Sequence, residues 1–214
     1  FVKALPNRKI EVYALLGAVE WGYAEDGATL LANLEKIVQY NVQSSEKEKF
    51  DGVMLDIEPY ISDSWKENPE EYMDRYISCM KKGYKFAQKN HLRTAICIPR
   101  HYDNQGLTSG LEELIKETCD EVAVMNYSCG NEIEAIRTEV ALSEKYGKEL
   151  HCILEFQEVG KHGLTENKTY RNKGIDNAKE TWEKLQKEYK NINVTRDYHW
   201  SRPVREMLEE KNAD

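Results

Sequence analysis

Residues 50–59 read FDGVMLDIEP, and this stretch predicts a buried β-strand that ends in two carboxylates. Apolar residues alternate through its centre, and Pro59, which lacks a backbone N–H, stops the strand from extending its ladder. Alternate side chains of a strand share a face. Asp56 and Glu58 therefore share one face with Met54, at the carboxyl end of the strand. The other face is apolar and is expected to pack under helices; it holds Val53, Leu55 and Ile57.

Outward from this strand, short apolar segments alternate with segments of helical periodicity. Strands are predicted at 9–17, 51–57, 92–99, 121–127, 150–156 and 193–200. Helices are predicted at 27–43, 69–90, 107–117, 131–146, 175–189 and 203–211, with a long polar loop at 158–172. Strict alternation of this kind indicates an α/β fold, in which helices cover a parallel sheet.

Two architectures fit this pattern. One is a TIM (β/α)8-type barrel that lacks its first two strands in this chain, and the other is an open doubly wound sheet. A closed barrel needs eight β/α units, whereas the pattern gives six. We expect a single domain over residues 1–214. Because an incomplete barrel would expose two strand edges, we expect an upstream segment or a partner chain to complete it.

Composition and charge exclude several classes of partner. The 214 residues carry a formal net charge of −8. This balance argues against binding to nucleic acid or to an anionic membrane surface, since both need a basic patch. No apolar run reaches the ~18 residues of a membrane span, and no signal peptide is predicted. No GxGxxG or GxxxxGK[ST] motif follows a predicted strand, so a nucleotide-binding fold lacks its phosphate loop.

The cysteines and histidines give no metal-binding pattern. Five cysteines are widely spaced and form no CxxC pair, so a structural zinc site is not expected. The histidines at 91, 151 and 162 also lack ligand spacing, and we predict neither a metal nor a cofactor. Most of the thiols are expected to be buried, where a thiol packs as a small apolar group.

The acidic pair is the first candidate site. The carboxyl ends of parallel strands carry the active site in barrels and the ligand crevice in open sheets, so both architectures point to Asp56 and Glu58. Two residues apart on a strand, their Cα atoms are roughly 6.5–7 Å apart. Mutual repulsion is expected to raise one carboxyl pKa, so that this group holds a proton near neutral pH. Glycoside cleavage uses such a pair.

Other polar and aromatic residues are predicted at the same ends of the remaining strands. Arg100 could pair with the acids or bind an anionic substrate, and Trp200 could stack on a sugar ring. His199 is a candidate base, and Glu155 could line the site or act as an alternative acid/base. Ordinary surface, core or structural roles remain open for each of them. The other predicted substrate-binding residues are Trp21, Asn126 and Gln157.

The 50–59 stretch also resembles the fourth-strand signature of family 18 glycoside hydrolases, the chitinases, endo-β-N-acetylglucosaminidases and their lectin-like relatives. That signature is D-G-x-D-x-D-x-E, which Asp51, Gly52, Asp56 and Glu58 match. Met54 stands where the family has its middle Asp. More broadly, the chain resembles uncharacterised bacterial proteins of this barrel type that carry a DGVxLDIEPY strand.

The resemblance implies roles for particular residues. Glu58 would be the general acid/base, and Asp56 would orient the substrate N-acetyl group, whose carbonyl oxygen is the nucleophile in that family. Tyr127, in a segment that resembles the family's sixth-strand M-x-Y, would hydrogen-bond the acetamido group. Trp200 would form the floor of the sugar subsite. Met54 departs from the pattern, because a thioether cannot share a proton with the next carboxylate.

Three hypotheses follow. The first is a glycosidase-like hydrolase that acts on a glycan, with Glu58 as proton donor and Asp56 as its partner. The second is a non-catalytic carbohydrate-binding protein on the same fold, inactive because of Met54. The third is a barrel hydrolase of a non-sugar or anionic substrate, which would use the acidic pair together with Arg100, Glu155 and His199.

Overall fold

The computed structural model of the chain describes residues 10–24 and 26–213, so Lys9, where the first predicted strand begins, lies outside the described residues. The chain divides into two compact units. Unit 1 runs to Ile98 and includes Asn104–Glu121, and unit 2 holds Pro99–Asp103 and the residues from Val122 onward. The single domain expected over residues 1–214 stays a prediction.

Unit 1 is built on three neighbouring strands, and each pair is parallel. They are β1 (Tyr13–Leu16), β2 (Gly52–Leu55) and β3 (Arg93–Pro99). Its helices are α1 (Ala28–Gln43), α2 (Asp63–Glu67), α3 (Pro69–Lys89) and α4 (Thr108–Glu117). Single-turn 3-10 helices cover Val19–Gly22 and Pro59–Ile61.

The longest helix, α3, shows why the local sequence forms this structure. Pro69 occupies the first turn, where its missing N–H costs nothing, and Glu70 and Glu71 place negative charge near the helix N-terminus. One face of the helix is apolar, so its packing supplies stability that helix propensity alone would not. The buried face includes Met73, Tyr76, Ile77, Met80 and Ala87.

Unit 2 carries the order β4-β5-β6, with β4 at Glu121–Met125, β5 at Glu149–Glu155 and β6 at Val194–His199. Strands β5 and β6 are parallel, and their register runs from Leu150 opposite Val194 to Glu155 opposite His199. The helices are α5 (Glu132–Ala135), α6 (Arg137–Tyr146), α7 (Ile175–Glu188) and α8 (Ser201–Ala213). A single 3-10 turn, Lys161–Gly163, interrupts the predicted polar loop.

One predicted helix is wrong in its extent. The stretch 131–146 forms two helices rather than one, because Ile136 between them adopts φ −125° and ψ 15°. Ile136 is fully buried, and this packing overrides the helical periodicity of the surrounding sequence. The short helix α2 lies in a stretch for which no helix was predicted; Ser62 caps it by accepting a hydrogen bond from the Trp65 backbone N–H at 3.1 Å.

The buried residues confirm the expectation that most of the thiols are buried. Four of the five cysteines are buried, and Cys129 is half-buried. In unit 2 the aromatic core is centred on Trp182, whose indole N–H donates to the Cys152 carbonyl at 3.0 Å and whose ring lies 4.8 Å from that of Tyr198. Within residues 10–24 and 26–213, no helix has both the length and the apolar character needed to cross a membrane.

Candidate functional site

The acidic pair of unit 1 lies directly after β2. The strand ends at Leu55, and the alternation of burial continues beyond it. Leu55 and Ile57 expose 0% and 1% of their surfaces, whereas Asp56 and Glu58 are partly exposed. The two faces predicted from the sequence are therefore present, and both acidic residues are partly exposed, with Asp56 Oδ1 itself buried.

Close backbone packing fixes the segment that carries the acids. The Asp56 backbone N–H donates to the Leu16 carbonyl at 2.8 Å, which ties this segment to the end of β1. A Cβ on Gly17 would lie 1.9 Å from the Asp56 carbonyl oxygen, and one on Gly22 would lie 2.8 Å from Cβ of Pro59. Only glycine permits this approach, so the loop after β1 positions the acidic pair.

Glu58 has a phenol as its neighbour. The turn Pro59–Ile61 brings Tyr60 back over Glu58, and the Tyr60 hydroxyl donates a hydrogen bond to Glu58 Oε2. The turn is held in place because the Tyr23 hydroxyl donates to the Pro59 carbonyl at 3.0 Å. Sequence reasoning missed Tyr60, although a Tyr two residues after the acid could have drawn attention to it.

Met54 and Trp21 complete the description of unit 1. Met54 is half-buried and lies in register with Leu15 of β1 and Ala95 of β3, so none of these three positions carries a carboxylate. Trp21 is also half-buried, and its carbonyl accepts a hydrogen bond from Cys79 Sγ at 3.1 Å. Its carbonyl thus serves to hold its own 3-10 turn against α3.

Unit 2 holds a carboxylate–imidazole pair at the carboxyl ends of two strands. Glu155 ends β5 and His199 ends β6, and the two residues are partners in the β-sheet register. Their side chains meet, with His199 Nδ1 2.8 Å from Glu155 Oε2. The Glu155 side chain is 2% exposed and the His199 side chain 43% exposed, so solvent reaches the imidazole but scarcely the carboxylate.

Glu155 accepts several hydrogen bonds besides the contact with His199. The backbone N–H groups of Phe156 and Gln157 each donate to Oε1 at 2.8 Å, and the Gln157 side-chain amide donates to Oε2 at 3.2 Å. Burial by itself raises the pKa of Glu155, but the hydrogen bonds and the charge of His199 outweigh burial and hold that pKa below its usual range. This arrangement suits an ionised carboxylate that orients an imidazole better than it suits a proton donor.

A second pair lies on the same two strands. His151 Nδ1 of β5 is 3.2 Å from Asp197 Oδ1 of β6, and the two side chains are 16% and 25% exposed. Sequence reasoning assigned no role to either residue. The sequence did contain a signal for this pair. Asp197 and His199 are two residues apart and share a face of β6, and His151 and Glu155 are four residues apart and share a face of β5.

The remaining predicted residues of unit 2 lie in different environments. The Tyr127 ring centroid is 6.0 Å from that of His199, which brings Tyr127 to the carboxylate–imidazole pair. Asn126 is fully buried, and its amide donates to the Glu132 carbonyl at 3.0 Å, so the structure places it in the interior. Arg100 follows β3 and is half-buried. Burial lowers the pKa of His101, and the positive charge of Arg100 lowers that pKa further. Burial raises the pKa of Glu139, and the charge of Arg100 opposes this rise.

Two clefts of unit 2 differ in their relation to these residues. Trp200, 46% exposed, and Gln157 line a cleft of about 340 Å³ beside the start of α8. A larger cleft, of about 570 Å³, lies along α5 and α7 and contains none of the predicted site residues. The smaller cleft is therefore the one that the sequence-predicted residues reach.

Comparison with known proteins gives a fold and no family. No family model matches the chain, and no curated protein matches it. Among solved structures, the chain is similar to dihydropteroate synthase from Anaplasma phagocytophilum with bound 6-hydroxymethylpterin-monophosphate. The TM-score is 0.52 at 11% identity, over 87% of this chain and 65% of that chain.

Two structures of catalytic domain 2 of the Ostrinia furnacalis group II chitinase are also similar, one of them a mutant in complex with penta-N-acetylchitooctaose. Their TM-scores are 0.43 and 0.44, both at 15% identity over 72% of this chain. The chain spans about half the length of these chitinase chains, 47%.

The resemblance to known structures is distant and concerns the fold alone. The likeness to the synthase, a TIM barrel, confirms an α/β fold with TIM-barrel-like neighbours, which the alternation of strands and helices had predicted. At 11% identity the likeness carries no information about activity. Any function must therefore be argued from the residues of the site.

Proposed function

We propose that the chain is a glycosidase-like hydrolase that acts on a glycan, with Glu58 as proton donor and Asp56 as its partner. The observation that carries this proposal is the pair of partly exposed acidic residues that follows β2, one of which, Glu58, accepts a hydrogen bond from the Tyr60 hydroxyl. A phenol that donates to Glu58 fixes the rotamer of the carboxyl group. An acid so oriented can present its proton to a leaving-group oxygen.

The reaction would follow the substrate-assisted course that the sequence resemblance implies. Glu58 donates its proton to the glycosidic oxygen as the C–O bond breaks, while the carbonyl oxygen of the substrate N-acetyl group attacks the anomeric carbon. Asp56 holds that acetamido group in the attacking orientation. Ionised Glu58 then removes a proton from water, whose oxygen opens the cyclic intermediate and restores the acetamido group.

Met54 supports carbohydrate binding without catalysis as a second candidate. Neither Met54 nor its neighbours in register, Leu15 and Ala95, can hydrogen-bond to the carboxylate of Asp56 as an additional acid would. In this candidate the site still binds sugar without the additional acid. Asp56, however, has no neighbouring acid with which to share a proton.

The carboxylate–imidazole pair of unit 2 supports a third candidate, a hydrolase of a non-sugar substrate. A histidine whose Nδ1 contacts a buried carboxylate is oriented as a general base. His199 would remove the proton from a water molecule that attacks an ester, and would return it to the leaving alcohol. Only the Glu155–His199 contact at 2.8 Å supports this candidate.

Kinetic assays separate the three candidates. Wild-type protein should hydrolyse chromogenic N-acetylglucosamine oligomers, and Glu58→Gln should lower kcat by about 10³-fold, as expected for loss of a general acid. Glu67→Gln, an exposed glutamate of α2, is the control and should keep wild-type kcat. Saturable binding of the oligomers without turnover would favour the binding protein. Hydrolysis of p-nitrophenyl acetate that is lost in His199→Gln would favour the non-sugar hydrolase.

We also propose that the six strands belong to an eight-stranded barrel whose other strands come from an upstream segment or a partner chain. Two exposed apolar side chains support this proposal. Leu15 in β1 exposes 65% of its surface, and Ile10, which precedes β1, exposes 59%; a further strand beside β1 would cover them. The isolated chain should therefore self-associate in size-exclusion chromatography, and Leu15→Lys should reduce this association. A monodisperse wild-type monomer that binds no hydrophobic dye would contradict the proposal.

A further inference from the structure

The cleft of about 340 Å³ in unit 2 is lined by cationic side chains from three separate segments. Lys161 comes from the loop after β5, Arg171 from the stretch before α7, and Arg202 from the first turn of α8. Two carboxylates, Glu158 and Glu206, also line it, which leaves an excess of one positive charge among the charged side chains. This local excess contrasts with the net charge of −8 of the whole chain.

The acids of the cleft do not neutralise its cations fully. Glu206 is engaged by Arg202 Nε at 3.0 Å in a pair whose side chains are 68% and 43% exposed. Water screens an ion pair as open as this one, so an incoming anion competes with Glu206 at little cost.

Arg171 is the second observation that points to a ligand. Its side chain is only 15% exposed, and Nη2 contacts Glu210 at 2.7 Å. Its Nη1 is buried and has no hydrogen-bond acceptor among the described residues. A buried donor without an acceptor is unusual in a native fold. Arg171 also lines the cleft, so an anionic oxygen bound there would supply the missing acceptor once the guanidinium turns towards it. Arginine is the side chain best shaped to hold a carboxylate, sulfate or phosphate.

Trp200 adds an apolar surface to this charged cleft. The Trp200 side chain lines the cleft and is 46% exposed, so a ring could stack on the indole. The cleft volume lies at the lower end of the range of about 300–1,000 Å³ that small-ligand sites occupy. Gln157 forms part of the wall, and its amide bonds to Glu155, so a ligand here would lie next to the carboxylate–imidazole pair.

We propose that this cleft of unit 2 binds an anionic sugar, with the acidic group against Arg171 and Arg202 and the sugar ring on Trp200. Gln157 and Glu158 offer donors and acceptors for the hydroxyl groups of the ring. The proposal goes beyond the hydrolase proposed above, because it concerns unit 2 alone and holds whether or not Glu58 is a catalytic acid.

Binding is tested with a matched pair of sugars that differ in one carboxylate. Glucuronic acid and glucose are titrated into the whole chain, and the indole N–H signal of Trp200, assigned through Trp200→Phe, is followed by NMR. Glucuronic acid should bind saturably, and about tenfold more tightly than glucose, since the charged contact is the main difference between them. Trp200→Phe should also weaken binding, by about fivefold, as seen by calorimetry.

Two arginines of α8 provide the matched variants. Arg202→Gln should weaken glucuronic acid binding by about fivefold or more and leave glucose binding unchanged. Arg205→Gln removes the same charge from the same helix at an exposed position outside the cleft, and should change affinity by less than about twofold. Both positions are exposed, so neither variant should prevent folding.

Three results would overturn the proposal. Equal affinities for glucose and glucuronic acid would show that the cleft does not recognise the charge. Equal effects of Arg202→Gln and Arg205→Gln would show that the attraction comes from the overall positive charge of α8 and not from the cleft. Inorganic phosphate that binds as tightly as glucuronic acid, with no response of Trp200 to either, would show a simple anion site without sugar recognition. Loss of glycan hydrolysis in Glu58→Gln affects none of these readouts, so the two proposals fail independently.

Discussion

Glu58 in unit 1 and Glu155 in unit 2 both lie at the carboxyl end of a parallel strand, yet their surroundings differ. Glu58 is partly exposed and is hydrogen-bonded by the Tyr60 hydroxyl. Glu155 is 2% exposed, accepts from two backbone N–H groups and the Gln157 amide, and contacts His199. The first residue has one side-chain donor and is partly open to solvent. For the second, burial raises the pKa, but the hydrogen bonds and the charge of His199 outweigh burial and hold that pKa below its usual range.

The comparison shows that position on a strand does not fix the role of a carboxylate. Both residues satisfy the rule that strand ends of a β/α fold carry functional groups. The two carboxylates differ in the number of donors that converge on them, and sequence spacing does not reveal this number. The four predictions below test this difference, starting with the largest expected effect.

Glu155→Ala should be the most damaging change. It removes the acceptor of the Gln157 N–H, one of the two acceptors of the Phe156 N–H, which also donates to the His199 carbonyl at 3.1 Å, and the carboxylate that contacts the His199 imidazole. Loss of one member of such a buried network costs about 3–5 kcal/mol of unfolding free energy, measured by urea denaturation. Asp197→Ala, in the more open pair with His151, is the control and should cost about 1 kcal/mol or less. Equal losses of unfolding free energy in the two variants would show that the buried carboxylate contributes no more to stability than the open one.

Glu139→Gln tests a third carboxylate, which has no side-chain donors at all. Glu139 is fully buried on α6, and neither of its carboxyl oxygens has a hydrogen-bond partner among the described residues. Burial raises its pKa from 4.5 to about 7; the charge of Asp103 adds to this rise, and the charge of Arg100 opposes it. Glu139 thus differs from Glu155 in the direction of its pKa shift, because it lacks donors.

The sign of the resulting pH dependence follows from the raised pKa. The fold favours protonated Glu139, so its contribution to stability is complete below pH 4.5 and is lost as pH rises to about 7. The wild type should lose on the order of 3 kcal/mol through this group over that interval, relative to Glu139→Gln. Urea denaturation between pH 4.5 and 8 measures the difference. Glu144→Gln, at an exposed site on the same helix, should retain the wild-type slope.

Gly17→Ala tests whether close packing positions the acidic pair. The added Cβ would meet the Asp56 carbonyl oxygen at 1.9 Å, and backbone cannot yield as a side chain can. The expected loss of unfolding free energy is about 1–3 kcal/mol, accompanied by reduced glycan turnover. Gly110→Ala is a suitable comparison, since its Cβ would meet side-chain rather than backbone atoms, with Met73 Cγ at 2.5 Å, and alanine favours helix α4. A Gly17→Ala protein as stable as Gly110→Ala would refute this role.

Tyr60→Phe should give the smallest effect and act on catalysis alone. It removes the hydroxyl that donates to Glu58 while keeping the aromatic ring. If Glu58 is the proton donor, kcat on glycan should fall by about tenfold with little change in stability, because one charge-assisted hydrogen bond is lost. Tyr40→Phe, at an exposed position on α1, serves as the control. An unchanged kcat in Tyr60→Phe would show that the Tyr60 hydroxyl does not contribute to glycan hydrolysis.

Much of the fold was predictable because its signals are local. Five of the six predicted helices and all six strands have counterparts within a few residues. The exception, 131–146, breaks at buried Ile136, where tertiary packing prevails over a continuous helical pattern. Short turns such as Pro59–Ile61 were missed because three residues give no periodicity to detect.

The site divides in the same way. The alternation through β2 identified Asp56 and Glu58 as partly exposed neighbours, and strand-end position identified Glu155 and His199. It could not pair Glu155 with His199, since that contact depends on the register between β5 and β6, 44 residues apart. Strand-end position also led to the prediction that Asn126 binds substrate, whereas this residue is fully buried in the structure.

By itself, the sequence determined the α/β alternation, the two faces of β2 and the ending of that strand before Pro59, because each depends on residues within a few positions of one another. The tertiary structure alone decided which carboxylate collects donors, which histidine meets it, and where Arg171, Arg202 and Trp200 form one cleft. Those outcomes depend on the register between strands and on loops that pack from distant parts of the chain. Side-chain identity fixes what each group can do, and the neighbours brought by folding select which of those properties is expressed.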